Sequence, residues 1–323
     1  MPITCQAGAE TEKRLSLSHK KMLTNINKTL KIRNNKATGE GSNPMIKKIL
    51  IPTDGSEYGK TALEYGIYLA GKTGAALLGL HVIDIRLLQP PMISDISGTM
   101  GLPLYQEFSD SIEEDLEAKA EAIIGAFRAR CQAAGLAVET KKITGIVEER
   151  IIEEAKAADW IIMAQRGDQV RRSDRTLLGS ITESVINASG RPVMVTPAEF
   201  HPIAKMGLAY DGSFSAEKAL KLSAELAREM DWSLQTIIIS DDQLEASALR
   251  EKAAAGLSSA GAPTEITIMP GRENKQLINF IQGGAVQLMA MGAYGHNKLR
   301  RLLMGSTTSY VIRNSTIPVL LTR

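Results

Sequence analysis

The sequence predicts an α/β protein built twice: two tandem doubly wound domains, each with a five-stranded parallel sheet between helices. Three observations carry this reading. Short apolar runs alternate with amphipathic stretches in strand–helix order along most of the chain. The order that starts at Lys48 starts again after residue 204. The punctuation recurs with it: Asp54-Gly55-Ser56 returns as Asp211-Gly212-Ser213, Gly179-Ser180 as Gly305-Ser306, and Pro192 as Pro318.

The first 44 residues stand apart. They carry eight Lys/Arg against three Glu and end in Gly39-Glu-Gly-Ser-Asn-Pro44, which reads as a basic, disordered or weakly helical extension. A natural start at Met45 is the other reading. From Lys48, the run Lys48–Thr53 is a buried strand that ends at Asp54-Gly55-Ser56. Residues 57–73 have helical periodicity, with Ala62, Leu63, Tyr65, Gly66, Leu69 and Ala70 turned inward. Ala76–Val82 is the second strand. A Pro- and Gly-containing stretch over 87–105 follows as a loop or lid, and 108–134 as a long charged helix. Strand 137–143, helix 147–157, strand 160–164, helix 181–188 and strand 193–196 complete a domain over 45–198.

The second domain, 204–323, runs in the same order. Strand 206–210, helix 214–230, strand 234–239, helix 243–259 and strand 264–269 lead on to helix 273–282 and strand 286–291. Helix 307–314 and strand 317–321 close it. Asp54 and Asp211 lie 157 residues apart, whereas Gly179 and Gly305 lie 126 apart, so the second copy is shorter by 31. Most of that loss is expected in the lid after the second strand. Gly167 to Gly295 is 128, which leaves two extra residues in the first copy's glycine loop.

Composition narrows the function. Aromatics at 4% make base-stacking platforms a poor reading, and a net charge of +2 gives no electrostatic case for nucleic acid. With the basic extension set aside, the remaining chain sums to about −3. Cys5 and Cys131 form no disulfide framework and no metal spacing, which fits a cytoplasmic protein. No apolar run reaches membrane-span length, so neither a membrane nor a nucleic acid is expected as a partner. The 13 Met read as core filler.

In an open parallel sheet, ligands sit at the carboxyl ends of the strands where strand order reverses. Asp54 and Asp211 end the first strands, and the glycine loops follow the fourth. An Asp there accepts hydrogen bonds from a base or sugar, while a glycine loop opening a helix holds phosphate. Asp-Gly-Ser alone equally reads as a helix cap and turn. Its recurrence in register with two Gly-Ser helix starts favours a site.

These residues resemble the universal stress protein family over both repeats, about 45–323. Gly292, Gly295, Gly305 and Ser306 match its loop of the form G-x-x-G, nine residues, G-[ST], in full. The resemblance implies a Rossmann-like fold of the adenine-nucleotide alpha-hydrolase type. It implies binding of ATP, or AMP or ADP, in the second domain, with Mg only through the phosphates. By the same resemblance Asp211 and Gly212 sit at the adenine and ribose, the backbone of Ile239 at the base, and Thr307 beside the phosphates. It also implies that 193–196 and 317–321 pair the domains as an internal pseudo-dimer, with a homodimer as a further possibility.

In the first domain the corresponding residues are Asp54, Val82, Gly167, Gly179 and Ser180. Ala164 replaces the loop's first glycine, and 168–178 holds eleven residues instead of nine. Weak or absent nucleotide binding is expected there. Arg166, Arg171, Arg172 and Arg175 read as phosphate contacts or as a solvated basic loop; so do Lys298, Arg300, Arg301 and His296 in the second loop. His81 reads as a packed or hydrogen-bonded strand residue. There is no Walker loop, nucleophile elbow or zinc constellation, and no base–nucleophile pair is evident in the second domain. Three functions follow. One is a nucleotide-binding stress or regulatory protein that senses ATP. Another is a slow ATPase or self-phosphorylating enzyme acting through Ser306 or Thr307. The third is an interaction scaffold with a vestigial site.

Overall fold

A computed structural model describes residues 45–88, 102–167, 179–262, 264–293 and 304–323, with side chains from Asp110 onward in the segment that begins at 102. The extension over 1–44, Gly295, His296, the second-loop cations Lys298, Arg300 and Arg301, and Arg171, Arg172 and Arg175 lie outside the described residues.

The first half runs β1 (Lys48–Pro52), α1 (Glu57–Thr73), β2 (Ala76–Asp84), α2 (Ile85–Leu88), α3 (Leu102–Ala133), β3 (Val138–Gly145), α4 (Val147–Ala155), β4 (Trp160–Ala164), α5 (Ser180–Ala188) and β5 (Val193–Thr196). The second half runs β6 (Lys205–Ala209), α6 (Phe214–Met230), β7 (Ser233–Ile239), α7 (Gln243–Ser259), β8 (Thr264–Met269), α8 (Glu273–Gln282), β9 (Leu288–Gly292), α9 (Ser306–Asn314) and β10 (Val319–Thr322). Within each half all strand pairs are parallel, in the order 3-2-1-4-5, so strand order reverses between β1 and β4 and between β6 and β9. The halves then fuse. Antiparallel pairing of β5 with β10 (Val195↔Val319, Met194↔Leu320, Val193↔Leu321) makes one ten-stranded sheet, on the two strands that the resemblance marked for pairing.

Strand periodicity divides the interior into two layers, one on each face of the sheet. Ile49, Ile51, Leu77, Ile162, Met194 and Leu320 belong to one core, with α1 and α6. Leu50, Leu78, Ile161, Val193, Val195, Val319 and Leu321 belong to the other. Both cores run through both halves, because neighbouring residues of every central strand point to opposite faces.

The loss of 31 residues is distributed differently from the expectation. The β2–α3 connection over 85–101 replaces the short 240–242 step, but α3 is also 32 residues long against 17 for α7. The long helix begins at Leu102, which takes the last four residues of the stretch read as loop, and the end of α2 takes its first two. Pro103 stands in the first turn of α3, where a missing N–H costs no helical bond, so the Pro and Gly punctuation hid the start of the helix. The strand before the second glycine loop starts at Leu288 rather than 286 and includes Gly292; the last strand starts at Val319 because Ser315 Oγ takes the Ile317 N–H into a turn (3.2 Å).

The segment joining the halves is fastened to α1. Thr61 Oγ1 donates to Ala198 O (2.8 Å) and Tyr68 OH to Ile203 O (2.8 Å), while the His201 N–H donates to Tyr65 OH (3.1 Å). Phe200 lies against Tyr65 and Tyr68, and Tyr68 stacks on Trp232 of the second half. Burial first of all raises the Tyr65 hydroxyl to about 12, with the His201 bond opposing and Tyr68 adding to the rise.

Candidate functional site

Each Asp-Gly-Ser turn is a helix cap. Ser56 and Ser213 stand at the N-caps of α1 and α6 in extended conformation, accepting the N–H of Gly59 and of Ala216. Asp54 Oδ1 accepts the Ser56 N–H and Asp211 Oδ1 the Ser213 N–H, both at 3.0 Å. Gly55 and Gly212 have φ of 79° and 72°, a left-handed geometry that glycine alone adopts at little cost. The serines thus do the capping, while one oxygen of each Asp carboxylate accepts the serine N–H of the turn, which fixes the carboxylate's direction.

The turns are buttressed differently. In the first half Ile123 of α3 covers Gly55, and Thr53 Oγ1 takes the Gly55 N–H (3.2 Å). In the second, Leu249 of α7 covers Gly212 and Lys252 Nζ donates to Gly212 O (2.9 Å). Lys252 also pairs with Glu217 Oε1 (2.8 Å), which accepts the hydroxyl of Tyr210. Burial, reinforced by Glu217, lifts Tyr210 well above its ordinary value. Burial pushes the Glu217 carboxyl upward, but Lys252 and the Tyr210 hydroxyl outweigh it, so the net direction is down.

The glycine loops start at the strands beside those turns. β6 and β9 pair Ala209 with Met291, so Asp211 and the end of β9 emerge side by side. In the first half the approach is direct: a Cβ on Gly167 would stand 2.7 Å from Asp54 Oδ2. Each loop is pinched shut at its base by one backbone bond, Gly305 N–H to Ala293 O (3.2 Å) and Gly179 N–H to Gln165 O (3.3 Å). A threonine then ties the following helix to the strand end: Thr308 Oγ1 donates to Gly292 O (3.2 Å), Thr182 Oγ1 to Ala164 O (3.1 Å). These threonines were missed in the sequence, although their shared 126-residue offset marks them.

Gly292 has a reason of its own. A Cβ there would meet Ser215 Oγ at 2.5 Å and both Ala216 N and Ser215 Cβ at 2.9 Å. The glycine admits the first turn of α6. Ala164 has its methyl at the matching strand end, where Tyr58 and Gly59 replace Ser215 and Ala216.

Gly305 and Gly179 are N-caps without a side-chain cap, so the first N–H groups of α9 and α5, from Ser306 and Ser180 onward, receive no cap from that residue. Thr307 Oγ1 donates to Glu273 Oε2 at the start of α8 (3.2 Å). Ile239 ends β7, whereas Val82 lies two residues before the end of β2, which pairs with β3 as far as Asp84. Both follow equivalent backbone bonds, Thr53 N–H to Leu80 O and Tyr210 N–H to Ile237 O (2.9 Å each). His81 Nδ1 lies 2.8 Å from Thr53 O, so this strand residue is hydrogen-bonded across to the end of β1. Among the described residues no three His, Cys, Asp or Glu cluster to hold a metal, and no helix is long and apolar enough to cross a membrane.

Family-level sequence comparison matches residues 45–197, and again 202–323, to the Universal stress protein family. The chain belongs to that family. Among relatives, Universal stress protein Slr1230 of Synechocystis is 30% identical over 286 residues, spanning 85% of this chain and 99% of its own. Universal stress protein MJ0577 of Methanocaldococcus jannaschii is 32% identical over 155 residues, which is 94% of its length but 47% of this tandem universal stress protein. A solved universal stress protein from Archaeoglobus fulgidus superposes over 85% of this chain and 98% of its own with a TM-score of 0.68 at 24% identity, which establishes the shared fold.

Proposed function

We propose that this tandem universal stress protein binds one adenine nucleotide, ATP first and AMP or ADP at the same place, in the crevice of its second half. It acts as a cytoplasmic stress or regulatory sensor rather than by strong turnover. The observation that carries the reading is a convergence at one strand-order reversal, where the Asp211 turn, the end of β9 and the uncapped start of α9 meet. Asp211 and Gly212 would face the ribose and adenine, and the Ile239 backbone the base. Gly292, Gly295, Gly305, Ser306 and Thr307 would surround the phosphates, whose charge suits the helix N-terminus. Magnesium enters on those phosphates.

In the first half, Asp54, Val82, Gly167, Gly179 and Ser180 form the equivalent crevice, but the longer loop over 168–178 favours weak or no binding. Denaturing the purified protein and identifying released nucleotide by mass spectrometry tests the reading. One adenine nucleotide per chain is expected. Titration of Gly305→Ala/Ser306→Ala should then remove the binding; half the stoichiometry surviving would place a second nucleotide in the first half.

One observation favours the self-phosphorylating alternative. Thr307 and Glu273 are a hydroxyl and a carboxylate in hydrogen-bond contact, a nucleophile–base pair that the sequence did not disclose. In that chemistry Glu273 takes the hydroxyl proton, Thr307 Oγ1 gains the γ-phosphoryl group and ADP departs. Incorporation of labelled γ-phosphate that Thr307→Val and Glu273→Gln both abolish would support it; absence of incorporation would remove it.

A further inference from the structure

The two Asp-Gly-Ser turns share a backbone but are held in place by different means. In the first half the ties are Thr53, one residue before Asp54, whose hydroxyl accepts from Gly55, one residue after it, and His81 of β2, whose Nδ1 lies 2.8 Å from Thr53 O. At the matching positions of the second half stand Tyr210 and Gly212, and both are tied to a single lysine on α7. Lys252 Nζ reaches Gly212 O directly and reaches Tyr210 through Glu217. The charges at the helix position also differ in sign, since Lys60 stands where Glu217 does and pairs with Glu57 on its own helix. Among the described residues the first half has no equivalent ring.

We propose that Lys252, with Glu217 and Tyr210, is a positioning device for Asp211, and that it is one reason the second half rather than the first is fitted to bind. The proposal rests on the nucleotide reading of the same crevice. Physically, the residues before and after Asp211 are both fixed to one side-chain ring, which leaves its carboxylate little freedom to turn away from a ligand. An Asx-type bond from Ser213 fixes one oxygen; the lysine bridge fixes the peptide plane on which that turn is built. Preorganisation of this kind lowers the ordering cost that a ligand otherwise meets on binding. The lysine side chain is 53% exposed, so the bridge adds little to global stability while acting on the one turn it spans.

The test is a double-mutant cycle on ATP affinity, measured by calorimetric titration of the full chain. The backgrounds are wild type and Asp211→Asn, a substitution that keeps the side chain's shape and its bond from Ser213. In the wild-type background Lys252→Met should weaken ATP binding roughly three- to tenfold, with the melting temperature moving by less than about 2 °C. Lys252→Arg, which retains the charge and more than one donor, should recover most of the affinity. In the Asp211→Asn background Lys252→Met should change affinity by less than about twofold. A purely structural lysine would weaken binding equally in both backgrounds, and that result overturns the proposal. So does unchanged affinity of Lys252→Met in the wild-type background. If Asp211→Asn itself binds as wild type does, or the wild type binds no ATP, the nucleotide reading of Asp211 falls first and this inference with it.

Discussion

Gly292→Ala separates two reasons for a glycine at the start of a nucleotide loop. If the glycine served only to let a phosphate approach, the substitution would lower affinity and leave the fold alone. The structure places an obstacle inside the protein instead. The new methyl would stand 2.5 Å from Ser215 Oγ and 2.9 Å from Ala216 N. A serine hydroxyl can rotate away, but a backbone nitrogen cannot, so the first turn of α6 must retreat by roughly half an ångström to regain ordinary contact. Overpacking of this kind costs about 1–3 kcal/mol, or roughly 2–6 °C in melting temperature for a chain of this size. That turn carries the Ser213 cap and the Ser213 N–H to Asp211 bond, so ATP affinity should fall with stability. Urea unfolding and calorimetric titration read the two effects on the same sample. Ser215→Gly, which removes two of the three close contacts, should restore part of the stability when combined with Gly292→Ala. An unchanged urea midpoint together with weakened ATP binding would refute the packing argument.

Three further outcomes follow from buried groups. The Tyr65 hydroxyl has its folded value raised above 10 to about 12, so the stability it protects is whole below pH 10 and is lost as pH climbs from 10 to 12. The loss approaches roughly 3 kcal/mol, and urea midpoints over that range should fall more steeply for wild type than for Tyr65→Phe; parallel curves would contradict it. Burial holds the Cys131 thiol up at about 11, so maleimide should leave the Cys131 peptide unlabelled in native protein and label it in urea, as read by mass spectrometry. Thr182→Val and Thr308→Val each leave a strand-end carbonyl without its hydroxyl donor, at a cost of about 1–2 kcal/mol apiece. Their sites share no partner, so the double variant should lose close to the sum, as urea denaturation can measure.

The sequence disclosed features whose cause is local. Asp-Gly-Ser at 54–56 and 211–213 was readable because the turn needs a left-handed glycine and the helix needs a serine cap, and those demands fall on neighbouring residues. The repeat was readable because Gly179, Pro192 and their counterparts keep one offset. What escaped has causes distant in the chain. Nothing near Gly292 announces Ser215, and nothing near Gly212 announces Lys252, 40 residues on. The start of α3 was misplaced because punctuation at 87–105 resembles a loop whether or not a helix begins within it. The Thr307–Glu273 contact required knowing that α8 and α9 lie together on one face.

The β5–β10 seam has a geometric consequence for ligands. Every strand within a half points the same way, but the seam is antiparallel, so the carboxyl ends of β1–β5 and of β6–β10 face contrary directions. The Asp54 crevice and the Asp211 crevice therefore open on opposite rims of the sheet. A molecule bound in one cannot touch the other, and no single partner of modest size can read both mouths at once. The halves are nonetheless tied in both directions beside the seam: Gln165 of the first half donates its amide to Ile312 O in α9, and Arg323 of the second donates to Asn187 O in α5. The tandem is thus a two-ended object whose halves each donate a bond to the helix that follows the other's loop.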